Sequence, residues 1–513
     1  FKAGTYVLGE SGGPSGYTPS DWVCVGGTQD GDEITVGLGE DVVCTITNDD
    51  QPGHLIVHKV TNPVDTTNEF SITASGGTIV SPSATQPIVG GGTVNYTVHA
   101  GTYDVTEALE PGWDETDNTC EDVVVANGAT EHCTITNTQR GHIIIVKDAV
   151  PNDAQDFSFT GSGTIGTFLL DDDATIALPK QRDFEVIPGT GFSVTESVPT
   201  GWKQFSVSCT DGMSNTNLTV NPGQTITCTF INHKLATIII NKDAIGGNGT
   251  FGYTSTGGSN FPANFNVETV DGTGSQTFNN IDPDLTYSIA ETGLPSGWAA
   301  NGVVCQNETV GGSITSRNPA GFQPTNGGTV TCTFTNNKPA AQIDLDPLTA
   351  VNKIGDDHVI TANVQVHNGD GVYGAADDGT LVTFALVNSN GATASFVGGN
   401  TCTTTSGSCS VTINSPTTGN VSISASSGPV ILGVTVNVET GTGGENSADA
   451  GKTYVNARIT ITPPSSTNEV EVDHDYTVKV EQSVEDGVWT DVEGAVANAI
   501  VSPSTSLDVF DCN

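Results

Sequence analysis

The chain has 513 residues, with 15 Lys and Arg against 58 Asp and Glu, a formal net charge of −43. That field repels polyanions, which excludes nucleic acid as a partner, and it favours solubility and separation of modules along the chain. With 62 Gly, abundant Thr, Ser, Val and Asn, and no long stretch of helical periodicity, the composition predicts an all-β chain of five or six domain-sized cores.

In chain order, the sequence is a string of copies. The signature Cys-Thr-(Ile/Phe)-(Thr/Ile)-Asn recurs at Cys44 to Asn48, Cys133 to Asn137, Cys228 to Asn232 and Cys332 to Asn336. After three of these comes a lysine-bearing strand, ending at Lys59, Lys147 and Lys242. A third landmark is a strand ending in Glu followed by a turn and an aromatic: Glu107 then Trp113, Glu196 then Trp202, Glu291 then Trp298, with Glu10 then Tyr17 in the first stretch. Periods near 90 to 100 residues mean whole domains in series. The predicted units are a partial repeat at 1–51 and complete repeats at 52–139, 140–234 and 235–338. The chain opens on what matches the middle of the next unit, Val98 to Glu107, so the front of the first unit is either cut from the sequence or supplied by a partner.

From about Ala340 the Lys, Glu and Asn landmarks disappear and longer alternations begin, as in Val359 to Val366 and Leu381 to Leu386. A second module type is expected over 339–452, with a partial copy over 453–513. The Gly-, Ser- and Asn-rich stretch Gly441 to Gly451 is expected to be the joint between these two and the most flexible point of the chain.

The eleven cysteines fall into local pairs: Cys24 with Cys44, Cys120 with Cys133, Cys209 with Cys228, Cys305 with Cys332, and Cys402 with Cys409. None has the C-x-x-C spacing of a zinc or thioredoxin-like site, so one disulfide per module in an oxidising, extracellular setting is expected. Cys512 aligns with Cys402, and its partner is expected beyond Asn513.

Strand alternation tests which way the landmark side chains point. Leu55, Val57 and Lys59 share one face, as do Tyr103, Val105 and Glu107, and Cys133, Ile135 and Asn137; the later repeats follow the same parity. All three polar residues therefore point inward. Burial lowers an amine's pKa and raises a carboxylic acid's, making neutral amine and protonated acid accessible together. A neutral amine beside a carboxamide can attack its carbonyl carbon while the acid shuttles the proton, releasing ammonia and leaving an isopeptide. The same residues also admit a half-buried ion pair, with the lysine stem reaching solvent at the strand end and Asn bonding backbone groups.

These landmarks resemble the collagen-adhesin B-type and pilin-type (SpaA-like, prealbumin-like) repeat modules of bacterial surface proteins. The resemblance implies a transthyretin-like β-sandwich in which the first-strand Lys joins the last-strand Asn with Glu as catalyst. It assigns Lys59, Glu107 and Asn137 to one triad, Lys147, Glu196 and Asn232 to a second, and Lys242, Glu291 and Asn336 to a third; Glu10 and Asn48 would belong to a fourth. Residues from about 340 resemble bacterial immunoglobulin-like domains of the invasin and intimin type, which serve as stalk modules.

Other signals weigh less. Asp171 to Asp173 and the acidic turn at Asn152 to Asp156 could offer oxygen ligands to Ca²⁺ but read better as solvated loops; no cofactor and no resident metal are expected. Trp113, Trp202 and Trp298 read as plugs at one end of each sandwich rather than sugar platforms. No nucleophile elbow, metalloprotease helix or phosphate loop is present, so turnover of an external substrate is not expected. The expected protein is a secreted, cell-surface structural stalk or filament segment in an extended rod, with other surface or filament subunits, and host or environmental surface ligands, as partners, and without direct membrane insertion. Two further readings stay open: spacer modules of a large secreted enzyme or ligand-binding adhesin, and a filament subunit joined by strand complementation.

Overall fold

The structure, a computed structural model, describes residues 2–173 and 178–500. It is an all-β chain of tandem β-sandwich modules in two units, Phe1–Lys234 and Leu235–Asn513. The expectation for Cys512 lies outside the described residues.

The second repeat shows the plan. Its Val-, Ile- and Thr-rich segments favour extended backbone and alternate buried with part-exposed positions, so each strand presents one apolar face. One sheet runs in the order Ile79–Ser81, Thr93–Val98, Gly53–Asn62, Thr130–Gln139, Trp113–Asn118. Opposite it lies Thr85–Val89, Glu69–Gly76, Gly101–Glu107, Val123–Val125. Leu55, Val57, Ile72, Tyr96, Tyr103, Val105 and Ile135 fill the space between. The first and last strands lie side by side and parallel, with Lys59 opposite Ile135. A parallel pair needs a long crossover, and here the crossover is the whole of the rest of the module. The third and fourth repeats keep this pairing, with Lys147 opposite Phe230 and Lys242 opposite Phe334.

Each of the five cysteine pairs is bonded. In the third and fourth repeats the disulfide staples the last strand to its antiparallel neighbour, with Cys209 directly opposite Cys228 and Cys305 opposite Cys332. Trp113, Trp202 and Trp298 are buried. Between the second and third repeats a single residue, Arg140, separates the strands Thr130–Gln139 and Gly141–Val150. Its guanidinium grips both sides, at 2.7 Å from Asp114 and 3.1 Å from Glu185, and this bidentate contact holds the Asp114 carboxyl below its usual range.

In the second unit, the module after the fourth repeat is also a two-sheet sandwich. One sheet carries Ala340–Asp346, His358–His367, Ser408–Asn414 and Ser395–Val397. The other carries Thr401–Thr403, Leu381–Ser389, Gly419–Ser427 and Ala450–Thr462, with Thr349–Lys353 pairing the last of these in parallel. The strand Ala450–Thr462 runs straight through the boundary expected at 452/453: its first part pairs Gly419–Ser427 and its second part pairs Thr477–Glu485. The expected joint at Gly441 to Gly451 is instead tied down. Thr440 donates to the Asp449 carboxylate at 2.7 Å and accepts from the Ala425 amide, while Asn446 and Ser447 accept the amides of Ile343 and Leu345. Composition marked a turn there, but Thr, Asn and Ser side chains satisfy neighbouring backbone groups and fix it.

Thr440→Val removes both buried hydrogen bonds at nearly constant shape and leaves the Ala425 amide without a partner, a cost of about 1–3 kcal/mol. Amide hydrogen exchange is expected to accelerate at Ala425 and across 441–451; unchanged protection would show that the hydroxyl does not hold this segment.

Candidate functional site

The parallel register places the Asn of the last strand two residues beyond the partner of the lysine, on the same inward face. The glutamate arrives from the opposed sheet, at the end of Gly101–Glu107 in the second repeat. Three elements distant in sequence thus converge at one end of each sandwich.

In the second repeat Lys59 is 1% exposed, and its Nζ lies 2.6 Å from Asn137 Oδ1 and 2.9 Å from Glu107 Oε2. Asn137 Nδ2 donates to the other glutamate oxygen. One carboxyl therefore touches both nitrogens. In the fourth repeat Lys242 Nζ lies 3.3 Å from Glu291 Oε1, which also accepts from Asn336 Nδ2 at 2.9 Å. In the third, Lys147 Nζ lies 3.5 Å from Glu196, and Lys147 and Asn232 are fully buried. There neither amide atom of Asn232 nor either oxygen of Glu196 makes a well-formed hydrogen bond. Buried polar groups left in that state are costly. Each amine also faces a main-chain carbonyl: Ile135, Phe230 and Phe334 respectively. In the first repeat, Asn48 donates to Glu10 at 2.6 Å at an exposed position.

Burial dominates the electrostatics. It pushes Lys59, Lys147 and Lys242 below the ordinary lysine value, against the opposing pull of the neighbouring glutamate. In the third repeat burial also pushes Glu196 above the ordinary carboxylate value. Both shifts run toward the neutral amine and neutral acid.

Sequence reasoning missed the residue beneath each amine. Lys59, Lys147 and Lys242 sit 4.4, 4.1 and 4.4 Å from the ring centroids of Phe70, Phe157 and Phe251. Each ring in turn meets Trp113, Trp202 or Trp298 edge-on. The signal was present, since Phe-Ser-Ile-Thr, Phe-Ser-Phe-Thr and Phe-Gly-Tyr-Thr begin at these three positions. The ring face favours the ammonium form by a cation–π contact and fixes the stem, so each tryptophan is the back wall of a lysine pocket.

The arrangement can perform one reaction. Nζ attacks Asn Cγ, the Cγ–Nδ2 bond breaks, and the glutamate carries the proton from Nζ to the leaving nitrogen, which departs as ammonia. Among the described residues no group of three or more His, Cys, Asp and Glu forms a metal site. The Asp172 carboxylate accepts the backbone amides of Ala149 and Asp153.

Comparisons with known proteins follow this geometry. A family model described as a prealbumin-like fold domain, SpaA type, matches residues 143–234 and 238–338, and a second with the same description matches 1–46 and 50–145. No curated protein matches the chain by sequence. Among solved structures, the Bacillus anthracis TIE protein is similar at 14% identity, covering 65% of this chain and 68% of that one with a TM-score of 0.30. The pilus adhesin SpaC from Lactobacillus rhamnosus GG is similar at 13% identity, covering 65% of this chain and 54% of that one at 0.20. BcpA, the major pilin subunit of Bacillus cereus, is similar at 11% identity, covering 52% and 95% at 0.27. The chain thus spans about half the length of that adhesin.

A variant that keeps the buried amine but cannot bond it isolates the burial cost. In Asn137→Ala the folded-state pKa of Lys59 stays below its unfolded value near 10.5, so its contribution to stability is present above that value and is lost as pH falls through the depressed one. Below pH about 9 the buried Tyr96 and Tyr103 of this repeat stay protonated in both states. Across that alkaline range the exchange protection of Gly53–Asn62 in Asn137→Ala is expected to rise with pH, and the further change Lys59→Met is expected to flatten the rise. An equal slope in both variants would contradict the assignment.

Proposed function

Residues 1–338 are a run of SpaA-type prealbumin-like fold domains, and from that premise we propose that the chain is a load-bearing segment of a secreted cell-surface protein, an adhesin or pilus-like fibre, whose complete repeats close themselves by Lys59–Asn137, Lys147–Asn232 and Lys242–Asn336 isopeptide bonds. The observation that carries the reading is the second-repeat cluster, with a fully enclosed amine on the amide oxygen and one carboxyl touching both nitrogens. Such a site is closed to external substrate, which supports a single self-reaction and a mechanical role without turnover. The five disulfides support an extracellular, cell-surface location, and other surface or filament subunits are the partners this role implies. Among the described residues no helix is long and apolar enough to cross a membrane. The immunoglobulin-like reading of the module after residue 338 fits the same stalk role.

The force path explains why a disulfide does not make the isopeptide redundant. Tension enters the second repeat at Gly53 and leaves at Gln139, along two parallel strands loaded in shear. Cys120 and Cys133 are 13 residues apart and both lie late in the repeat, so their bond shields only that short loop. Lys59 and Asn137 are 78 residues apart and bracket the whole core. A bond there sends tension past the sandwich.

Single-molecule extension of the reduced chain is expected to show no unfolding of the second, third or fourth repeat. Glu107→Ala is expected to add one step of about 270 Å, the extended length of the released loop. Full extension of all three repeats in the unaltered protein would refute the load-bearing bonds.

A further inference from the structure

The module after the fourth repeat lacks the Lys, Glu and Asn landmarks, yet it contains the same juxtaposition in reverse chain order. Lys452 lies on Ala450–Thr462 and is 1% exposed, between the buried Ala450 and Tyr454. Asn352 lies on Thr349–Lys353, which pairs that strand in parallel with Ala350 opposite Lys452. The Asn therefore stands two residues beyond the partner of the lysine, the offset found in all three complete repeats. Lys452 Nζ lies 2.5 Å from Asn352 Oδ1, and Nζ is 5.3 Å from the Tyr454 ring centroid. An aromatic ring again lines the pocket.

His358 begins the strand His358–His367 on the same face as the buried Ile360, Ala362 and Val364. Burial and the Lys452 charge hold its imidazole below the usual range, which keeps it neutral and able to accept a proton. No carboxylate among the described residues pairs with Lys452, and burial alone pushes its amine down to about 8. The Asn352 amide nitrogen is held by the Asp357 carbonyl at 3.2 Å, which leaves its oxygen to the lysine. A charged amine in an apolar core without an anion is costly, so a structural module gains nothing from this lysine as a cation.

We propose that Lys452 and Asn352 join in an isopeptide bond, with His358, on the inward face of its strand, as the proton carrier. Nζ of the neutral amine bonds Asn352 Cγ, the Cγ–Nδ2 bond breaks, and one proton passes from Nζ by way of His358 to Nδ2, which leaves as ammonia. The bond brackets 100 residues and ties the early strand Thr349–Lys353 to the strand that continues into the next module. Tension would then cross this module as it crosses the repeats. The reaction is the one proposed for the repeats, but its residues are separate, so either can fail without the other.

The test uses the full chain, denatured, reduced and digested with trypsin. No Lys or Arg lies between Lys353 and Lys452, and Arg458 follows. A joined Lys452 resists cleavage, so the expected product is branched, with the peptide that ends at Lys353 and carries Asn352 joined to 354–458 uncut at Lys452, one ammonia lighter for this bond than its separate peptides and one more if Asn336 on the same peptide is joined to Lys242. Lys452→Met, which keeps the buried stem, and Asn352→Ala are each expected to regain that ammonia. Cleavage after Lys452 with release of an unmodified 354–452 peptide would overturn the bond. In freshly synthesised protein His358→Gln is expected to slow the joining and leave only the pH dependence of the Lys452 amine, while exchange protection of Ala450–Thr462 stays intact. Joining at an unchanged rate and pH profile would overturn the part assigned to His358.

Discussion

The repeats depend on one arrangement: a lysine amine enclosed in an apolar core where the first and last strands run side by side. An ammonium in such a place is expensive, and the cost cannot be met by water. The chain surrounds it with a carboxyl, a carboxamide, a backbone carbonyl and an aromatic face, all within contact distance in the second repeat. Everything else in the module keeps those groups in place. The parallel register sets the Asn two residues past the lysine, the opposed sheet delivers the glutamate, and the Trp wall fixes the Phe beneath the amine.

In the proposed role, the same arrangement decides how the molecule bears load. Backbone ladders and apolar cores yield cooperatively, and disulfides that span 13 to 27 residues in the repeats shield only short loops. A covalent link between terminal strands acts on the one pair through which tension must pass. At the junction of the second and third repeats the Arg140 grip on Asp114 and Glu185 restrains the short joint. As a partly exposed ion pair it orients the two repeats more than it stabilises them.

Much of this was legible in the sequence because strand periodicity is simple. The parity of Leu55, Val57 and Lys59, and of Cys133, Ile135 and Asn137, fixes the inward direction without knowledge of the fold. The pocket floor was not read, although Phe70, Phe157 and Phe251 recur in similar tetrapeptides, because an aromatic on a strand reads as core by default. Gly441 to Gly451 was misjudged because composition reports turn propensity and not which backbone groups the Thr440, Asn446 and Ser447 side chains satisfy. Lys452 and Asn352 escaped for a different reason. Their chain order is inverted and no glutamate landmark accompanies them, so only the three-dimensional register reveals the likeness.

The central claim is that the enclosed amines of the three complete repeats are no longer amines. The intact mass of the purified chain, denatured and fully reduced, tests it most directly. The account expects a deficit of one ammonia for each of the second, third and fourth repeats, with one regained in Glu107→Ala, and a further one if the Lys452 bond forms. A mass equal to that of the sequence would contradict it, leaving Lys59, Lys147 and Lys242 as buried partners of their glutamates.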